Sequence, residues 1–543
     1  MKERTTMKQK VEDACEPKPN KKYKGSIRGK GLLSKMSQVS GSTLLSRVLG
    51  IIREIVLGRY LGVGVLSDTF FVAYSIPNSL RKVFAEGALS ASFIPSFVRV
   101  LNKKGVSPAN KLMTLAFLFF EGIVLLLCYV AMWHARTLLG IIVPGWSPEL
   151  IAKTVPYLRI LMPFIFFISS SALLSGALNS VHHFFVPAFS PAMLNIVFIS
   201  AVLVCTYFGL PIDYLCYAIL FGGFLQFVAH VVTYIKCSFS FEFFDNESLK
   251  EFGRVMAKFI PCMFAMSIVE VSFFIDRIFA SYLPSGSISL LYYGGSFMRI
   301  PLGVFGVAFA VVTFPVLARI AIYAPKRLGY LLCESTKFLF WIMIPFSLLM
   351  MFFAKDIFYT LFISRFSIEQ VFLARQILIA YLCGLFFFSI NKILLNTYYS
   401  LHNTILPALI SIAGVVVNVI LNFILIYFFK ATGLALATSL GAGLFQTAAF
   451  LYVLKKRFNL PLYETRFLLF ARNFAVQLSV LVPVFLVLYY LCESCIRSFF
   501  VSWQTFFLCE FGLWLWVGPL VGVIFLLMIF TRRFFGIKIY FID

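Results

Sequence analysis

Apolar runs of roughly 20 or more residues recur along nearly the whole chain, and that repetition leaves few folds open. Each run is long enough to cross a hydrocarbon core about 30 Å thick as a helix. Barrel strands would alternate apolar and polar residues over about ten positions, whereas these runs are continuous, so the backbone must satisfy its hydrogen bonds within helices. With 60% hydrophobic and 13% charged residues, a chain of 543 residues also lacks the polar surface to cover a soluble globule. The expectation is an all-α polytopic membrane protein with about fourteen spans. They open with 39–62 and 67–99, include 256–283, 370–400, 404–428 and 432–455, and close with 467–491 and 503–531.

The net charge of +24 does not point to nucleic acid, because the basic residues sit in short clusters between apolar runs rather than on one soluble face. The clusters alternate as the positive-inside rule requires. Arg99, Lys103, Lys104 and Lys111 fall in one inside loop, Lys250, Arg254 and Lys258 in the next, then Arg319, Lys326 and Arg327, then Lys455, Lys456 and Arg457, and last Arg532 and Arg533. An even number of spans puts both termini in the cytoplasm. Residues 1–37, rich in lysine, read as a disordered basic tail on that side. Eleven cysteines are scattered, mostly in apolar runs; the close pair Cys492 and Cys495 lacks the second pair of a zinc site and fits a chance pairing or a disulfide.

An internal repeat recurs at a separation of about 220 residues. Leu61-Gly-Val-Gly64-Val-Leu-Ser67 answers Leu283-Pro-Ser-Gly286-Ser-Ile-Ser289, Phe93-Ile-Pro95 answers Thr313-Phe-Pro315, and Pro187-Ala188 answers Pro407-Ala408. The organisation expected is a six-helix lobe at 38–240, a second at 241–457, and two further helices at 458–543. A repeat spanning an even number of helices gives both lobes the same topology, with a cavity between them.

The stretch from Ser46 to Pro95 carries Arg47, Arg53, Glu54, Arg59, Asp68, Arg81, Lys82 and Glu86 inside two otherwise apolar spans. An arginine at the centre of a membrane helix costs roughly 2.5 to 3.5 kcal/mol on insertion scales, so these charges face protein or water rather than lipid. Ser46, Arg47, Gly50, Arg53 and Glu54 share an arc of about 120° on a helical wheel. Internal pairing of Arg53 with Glu54, or of Arg81 with Glu86, accounts for part of the set. The remaining surplus is positive and suits a polyanion, since planar guanidinium groups hold phosphate oxygens with paired hydrogen bonds. The second half adds Asp276-Arg277 and Arg299, with Asn391 and Lys392 inside a later span. Asn418 and Asn422, one helical turn apart, with Thr438 and Asp276, form a candidate site for a monovalent cation or a helix-packing set. No HExxH, catalytic triad or Walker A motif appears in the sequence, so neither an enzyme nor a built-in ATPase is expected.

These residues fall in runs that resemble the MurJ/MviN family of lipid II flippases, within the larger superfamily of multidrug and oligosaccharidyl-lipid exporters. The runs are SRVLGIIRE (Ser46 to Glu54), SDTFFVAYSIPN (Ser67 to Asn78), LRKVFAEGALSASFIP (Leu80 to Pro95), SGALNS (Ser175 to Ser180), PAFSPAMLN (Pro187 to Asn195), FASYLPSGSIS (Phe279 to Ser289) and PLGVFGVAFA (Pro301 to Ala310). The resemblance implies alternating access in a bacterial cytoplasmic membrane, a V-shaped cavity between the lobes, and a groove for an undecaprenyl tail made by the final helix pair. It implies substrate-binding roles for Arg47, Arg53, Arg81, Asp68 and Glu86. The family's diphosphate-binding arginine of the eighth helix is replaced here by Ser296, with Arg299 three residues on as the substitute. Some relatives bind sodium with residues matching Asp276, Asn418, Asn422 and Thr438, but the position of Asn422 is acidic there, and losing that charge weakens cation binding. Apart from the resemblance, an inside-negative potential acting on the surplus positive charge is a further expected drive. Lipid II, membrane lipids and cell-wall synthesis proteins are the expected partners. The competing readings are an exporter of another lipid-linked oligosaccharide and a cation-coupled multidrug exporter, whose cavity would be aromatic and acidic rather than rich in arginine.

Overall fold

The computed structural model describes residues 29–83, 89–181, 183–499, 506–507 and 512–542, and among these it is helical with no strand. Residues 1–28 of the expected tail lie outside the described residues, as does Glu86. The first helix, α1 (Gly29–Leu61), starts ahead of the tail boundary expected at 37. Leu32, Leu33 and Met36 carry the apolar spacing backwards from the first span, which lets the helix extend.

The first half continues with α2 (Val65–Arg81), α3 (Leu89–Lys104), α4 (Val106–Trp133), α5 (Ala135–Ile142), α6 (Pro148–Leu161), α7 (Phe164–Ser180), α8 (Phe185–Phe208) and α9 (Ile212–Lys236). The second half runs α10 (Asn246–Ala280), α11 (Ser287–Pro301), α12 (Ala308–Tyr323), α13 (Leu328–Phe352), α14 (Ala354–Phe362), α15 (Ile368–Leu382), α16 (Leu385–Ser400), α17 (Ile405–Thr438) and α18 (Gln446–Phe458). A shift of about 220 residues carries each helix from α1 to α9 onto its counterpart from α10 to α18, down to the short α5 and α14. The packing repeats as well: α1 on α8 matches α10 on α17, α2 on α6 matches α11 on α15, and α3 on α7 matches α12 on α16. Two more helices, α19 (Glu464–Phe499) and α20 (Gly512–Thr531), pack on each other, and α19 also packs on α13.

Among the described residues, ten helical stretches are long and apolar enough to span a membrane, against about fourteen spans expected. The difference has several sources. The charged α1 is less apolar, α2 and α3 are each shorter than a span and lie either side of residues 84–88, which are outside the described residues, and α10 is described only in part. In addition, α17 to α18 form one 54-residue run, Ile405–Phe458, where two spans at 404–428 and 432–455 are expected. That run breaks at Lys430, whose φ of 49° and ψ of −128° leave the helical region. Gly433 lies against the Leu425 carbonyl at the break, with no room for a Cβ.

Helix α10 links the halves. Its capping box, with Ser248 N–H donating to Asp245 Oδ1 at 2.9 Å and Asp245 N–H to Ser248 Oγ at 2.8 Å, fixes where it begins. Phe252, Val255 and Phe259 then bury against Leu112 and Phe120 of α4, so the opening turns of α10 pack on the first half. Its later turns pack on α17 in the second half. Cys492 and Cys495 on α19 are free thiols, so of the two alternatives the disulfide is not formed.

Candidate functional site

The polar face of α1 is held against α8 and α11. Arg53 Nη1 donates to Asn195 Oδ1 at 3.0 Å, and Nη2 donates to Glu54 Oε1 at 2.6 Å. The guanidinium carbon lies 5.4 Å from the Phe198 ring centroid, within cation–π range. Asn195 is fixed in turn, since its Nδ2 donates to the Ser46 carbonyl at 3.1 Å. From the opposite half, Tyr292 Oη donates to the same Glu54 Oε1 at 3.2 Å, and Arg299 lies 5.9 Å from the Tyr292 ring centroid. A chain from Arg53 through Glu54 and Tyr292 to Arg299 thus joins one guanidinium of each half. Glu54 Oε2 is buried and has no hydrogen-bond partner among the described residues.

Arg299 Nη2 donates to Ser296 Oγ at 2.7 Å. The guanidinium therefore folds back one turn and rests on Ser296, where the family's arginine is expected. Arg81 is steered by its own helix: Nε and Nη2 donate to Asn78 Oδ1 at 3.2 and 3.1 Å. Lys82 reaches across to Glu270 on α10 at 3.1 Å and lies 5.1 Å from the Phe273 ring centroid, so its partner in this arrangement is on the other half. Arg47, exposed, donates to the Gly303 carbonyl at 3.2 Å in the π-helical stretch Leu302–Val307.

Asp68, at 3% exposure, has both oxygens engaged by the other half: it accepts from Gly286 N–H at 2.6 Å and from Ser289 N–H at 2.7 Å. It caps the N-terminus of α11, where unpaired N–H groups and the helix dipole favour a carboxylate. Gly286 has a φ of 92°, and a Cβ there would meet Val63 Cγ1 at 2.6 Å, so glycine is needed for the approach. The same end is closed by Tyr293 Oη donating to the Gly62 carbonyl, Gly145 N–H to Ser281 Oγ, and Arg59 Nε to the Leu361 carbonyl at 2.8 Å. In this conformation Asp68 is a latch between the halves, which its expected place among the substrate ligands does not convey.

The four residues of the candidate cation site meet. Asn422 Nδ2 donates to Asp276 Oδ1 at 2.8 Å, Thr438 Oγ1 donates to Asp276 Oδ2 at 3.1 Å, and Asn418 and Asn422, both fully buried, contact each other. Asn422 Oδ1 is a buried acceptor without a hydrogen-bond partner among the described residues, and since Nδ2 faces Asp276 the amide must turn over before this oxygen can take a cation there. The donor set, oxygens with a single carboxylate, fits a monovalent ion.

At the far end from the latch, outside the spans, the start of α10 is bound to α3 and α4 by ion pairs. Arg99 and Lys104 meet Glu251 at 2.7 and 3.0 Å, Lys104 also meets Glu247 at 2.7 Å, and Lys111 meets Asp245 at 2.8 Å. The hydrogen bond from Lys111 and the capping N–H of Ser248 hold the Asp245 carboxyl well below the usual carboxylate range. Burial pushes Glu251 upward, but hydrogen bonds from Lys104 and Arg254 outweigh it and leave the group below its ordinary value.

Sequence reasoning found the arginines and missed their supports, Asn195, Tyr292 and Glu270. Asn195 closes the PAFSPAMLN run and Tyr292 sits in the internal repeat, so both carried a signal. Glu270 carried the signal of a charge inside the expected span 256–283, but not the identity of its partner, 188 residues away.

The family model described as lipid II flippase MurJ matches residues 57–512. The probable lipid II flippase MurJ of Buchnera aphidicola subsp. Acyrthosiphon pisum is 30% identical over 422 residues, covering 75% of this chain and 81% of that protein. The lipid II flippase MurJ of Burkholderia cenocepacia is 31% identical over 432 residues, covering 78% and 84%. Among solved structures, a lipid II flippase MurJ in an inward closed conformation superposes with a TM-score of 0.74 at 27% identity, over 91% of this chain and 99% of that one. An inward-facing multidrug transporter of the MATE family superposes with a TM-score of 0.59 at 14% identity over 75% and 93%, a likeness of fold alone. With the family model covering most of the chain, this membrane protein belongs to the MurJ family of lipid II flippases.

Proposed function

We propose that the protein carries lipid II from the inner to the outer leaflet of the bacterial cytoplasmic membrane by alternating access, without bond chemistry. One observation carries the residue assignment: the chain from Arg53 through Glu54 and Tyr292 to Arg299, which places a guanidinium of each half at one junction. A diphosphate entering there meets Arg53 and Arg299, with Arg81 and Arg47 as further cations, and its oxygens replace the carboxylate and hydroxyl those groups contact without substrate. The sugar and peptide pass between the halves while the polyprenyl chain stays in lipid, which avoids moving a charged headgroup through hydrocarbon.

In this reading both termini and the ion pairs around Glu251 are cytoplasmic, and the latch at Asp68 closes the outer end. A monovalent cation such as sodium would be held by Asp276, Asn418, Asn422 and Thr438, where it would offset the buried carboxylate. An inside-negative potential supplies a second drive, at about 2.3 kcal/mol per charge moved through 100 mV.

The test is complementation of a strain depleted of its own lipid II flippase, with lipid II exposed at the outer leaflet as the readout. The full chain restores exposure, and Arg53→Ala lowers it at least tenfold at equal membrane abundance. Unchanged exposure on depletion and complementation, or full activity of Arg53→Ala with Arg81→Ala, overturns the reading.

A further inference from the structure

Lys392 belongs to none of the contacts described above. It lies on α16, within the apolar run Ile368–Ser400. Its side chain is accessible within a membrane-spanning stretch, where a charge faces a cavity more often than lipid. No hydrogen bond or ion pair to it is formed among the described residues. Phe388, Leu395 and Tyr399 share its face and are partly accessible, whereas Ile390, Ile393 and Leu394 on the other faces are buried. Asn391 next to it is anchored the other way, donating to the Ala442 carbonyl at 3.1 Å and accepting from Thr447 Oγ1 at 2.8 Å.

Two tyrosines locate this face within the molecule. Tyr381, on α15, lies within electrostatic reach of Arg277 and Arg299, and Tyr399 lies near Cys262 of α10. Tyr381 and Arg299 flank Gly295, so the stretch that leads to Lys392 starts beside Arg299. From Tyr381 to Lys392 is eleven residues, about 16 Å at helical rise, too far for one diphosphate to bridge Arg299 and Lys392. Snorkelling to the membrane surface does not explain the residue either. Ser400 at the helix end is eight residues on, about 12 Å, roughly twice the reach of a lysine side chain.

We propose that Lys392 is a second anion-binding point on the translocation path, taking a carboxylate of the headgroup's peptide while the arginines hold the diphosphate. The proposal rests on the lipid II reading. An unpaired ammonium in a partly hydrated cavity attracts an anion, and the stem peptide of lipid II carries carboxylates well away from its phosphates.

The experiment measures binding of two probes, lipid II and undecaprenyl diphosphate, to the purified full-length protein in nanodiscs. Wild type, Lys392→Gln, Lys392→Arg and Arg53→Gln are compared, with thermal melting as the check on folding. The expected result is that Lys392→Gln weakens lipid II about tenfold and leaves undecaprenyl diphosphate unchanged, the loss of one charge-assisted contact. Lys392→Arg restores lipid II binding, and Arg53→Gln weakens both probes. Equal loss of both probes in Lys392→Gln would put the ammonium on the diphosphate and overturn the proposal; loss of neither would make it a bystander. If wild type binds neither probe, or Arg53→Gln binds both as wild type does, the flippase reading fails first and this proposal falls with it.

Discussion

Arg299 settles against Ser296, and that contact turns a gap in the sequence into a testable displacement. A guanidinium delivered from one helical turn away lies on Ser296, the position at which the family's arginine is expected, and whether the charge rather than the residue that brings it matters there is open to test. Arg299→Ala alone should therefore depress lipid II export at least tenfold, and Ser296→Arg combined with Arg299→Ala should recover most of it, as read by outer-leaflet lipid II. The double variant performing no better than Arg299→Ala would show that α11 holds Arg299 for another purpose. The sequence makes the charges legible because a charge in an apolar span is rare and costly. Their partners are less legible, since Asn195, Tyr292 and Glu270 are ordinary residues until the fold sets them opposite a cation.

Helices carry a second group of consequences, clearest at Lys430 in α17. A residue with a Cβ held at φ 49° and ψ −128° costs on the order of 1–3 kcal/mol, a conformation that glycine adopts freely. Lys430→Gly should raise the melting temperature of the purified protein, with a gain of about 1 kcal/mol or more in stability. An unchanged or lower melting temperature would mean that the lysine side chain offsets the backbone. Hydropathy read the two sides of this break as separate spans at 404–428 and 432–455, which the backbone turn supports even though helix resumes at once. Elsewhere hydropathy placed charged helices such as α10 correctly along the chain but said nothing of its first turns packing on α3 and α4. That packing follows from Phe252, Val255 and Phe259 meeting a distant apolar face, which no local pattern reports.

At the scale of the molecule, the halves are joined at both ends by different chemistry, and the two joints should respond differently to solution conditions. Asp245 and Glu251 have lowered pKa values in the folded protein, so they contribute stability above the ordinary carboxylate range and lose it as pH falls through their lower folded values. Melting temperature should hold from neutral pH down to that range and fall below it, and Lys104→Met together with Lys111→Met should flatten the acid limb. An acid limb identical in the double variant would remove these pairs as its cause. The opposite end depends on Asp68, and Asp68→Ala should make cysteines placed at Val63 and Ser285 more reactive to a water-soluble maleimide; equal labelling would show that the remaining contacts suffice. The twofold plan was legible because the repeat is written in glycines, serines and prolines that cannot be exchanged cheaply, whereas the joint itself was not, being one carboxylate lent by one half to the other. Hydrogen bonds to an ionised group contribute on the order of 1.5–3 kcal/mol each, and about 1.4 kcal/mol is a factor of ten in an equilibrium. Two such bonds by themselves weigh about a hundredfold or more against any conformer that gives both up. A transporter built this way has its resting occupancy, and hence the tempo of its cycle, set by a side chain occupied with a helix end rather than with cargo.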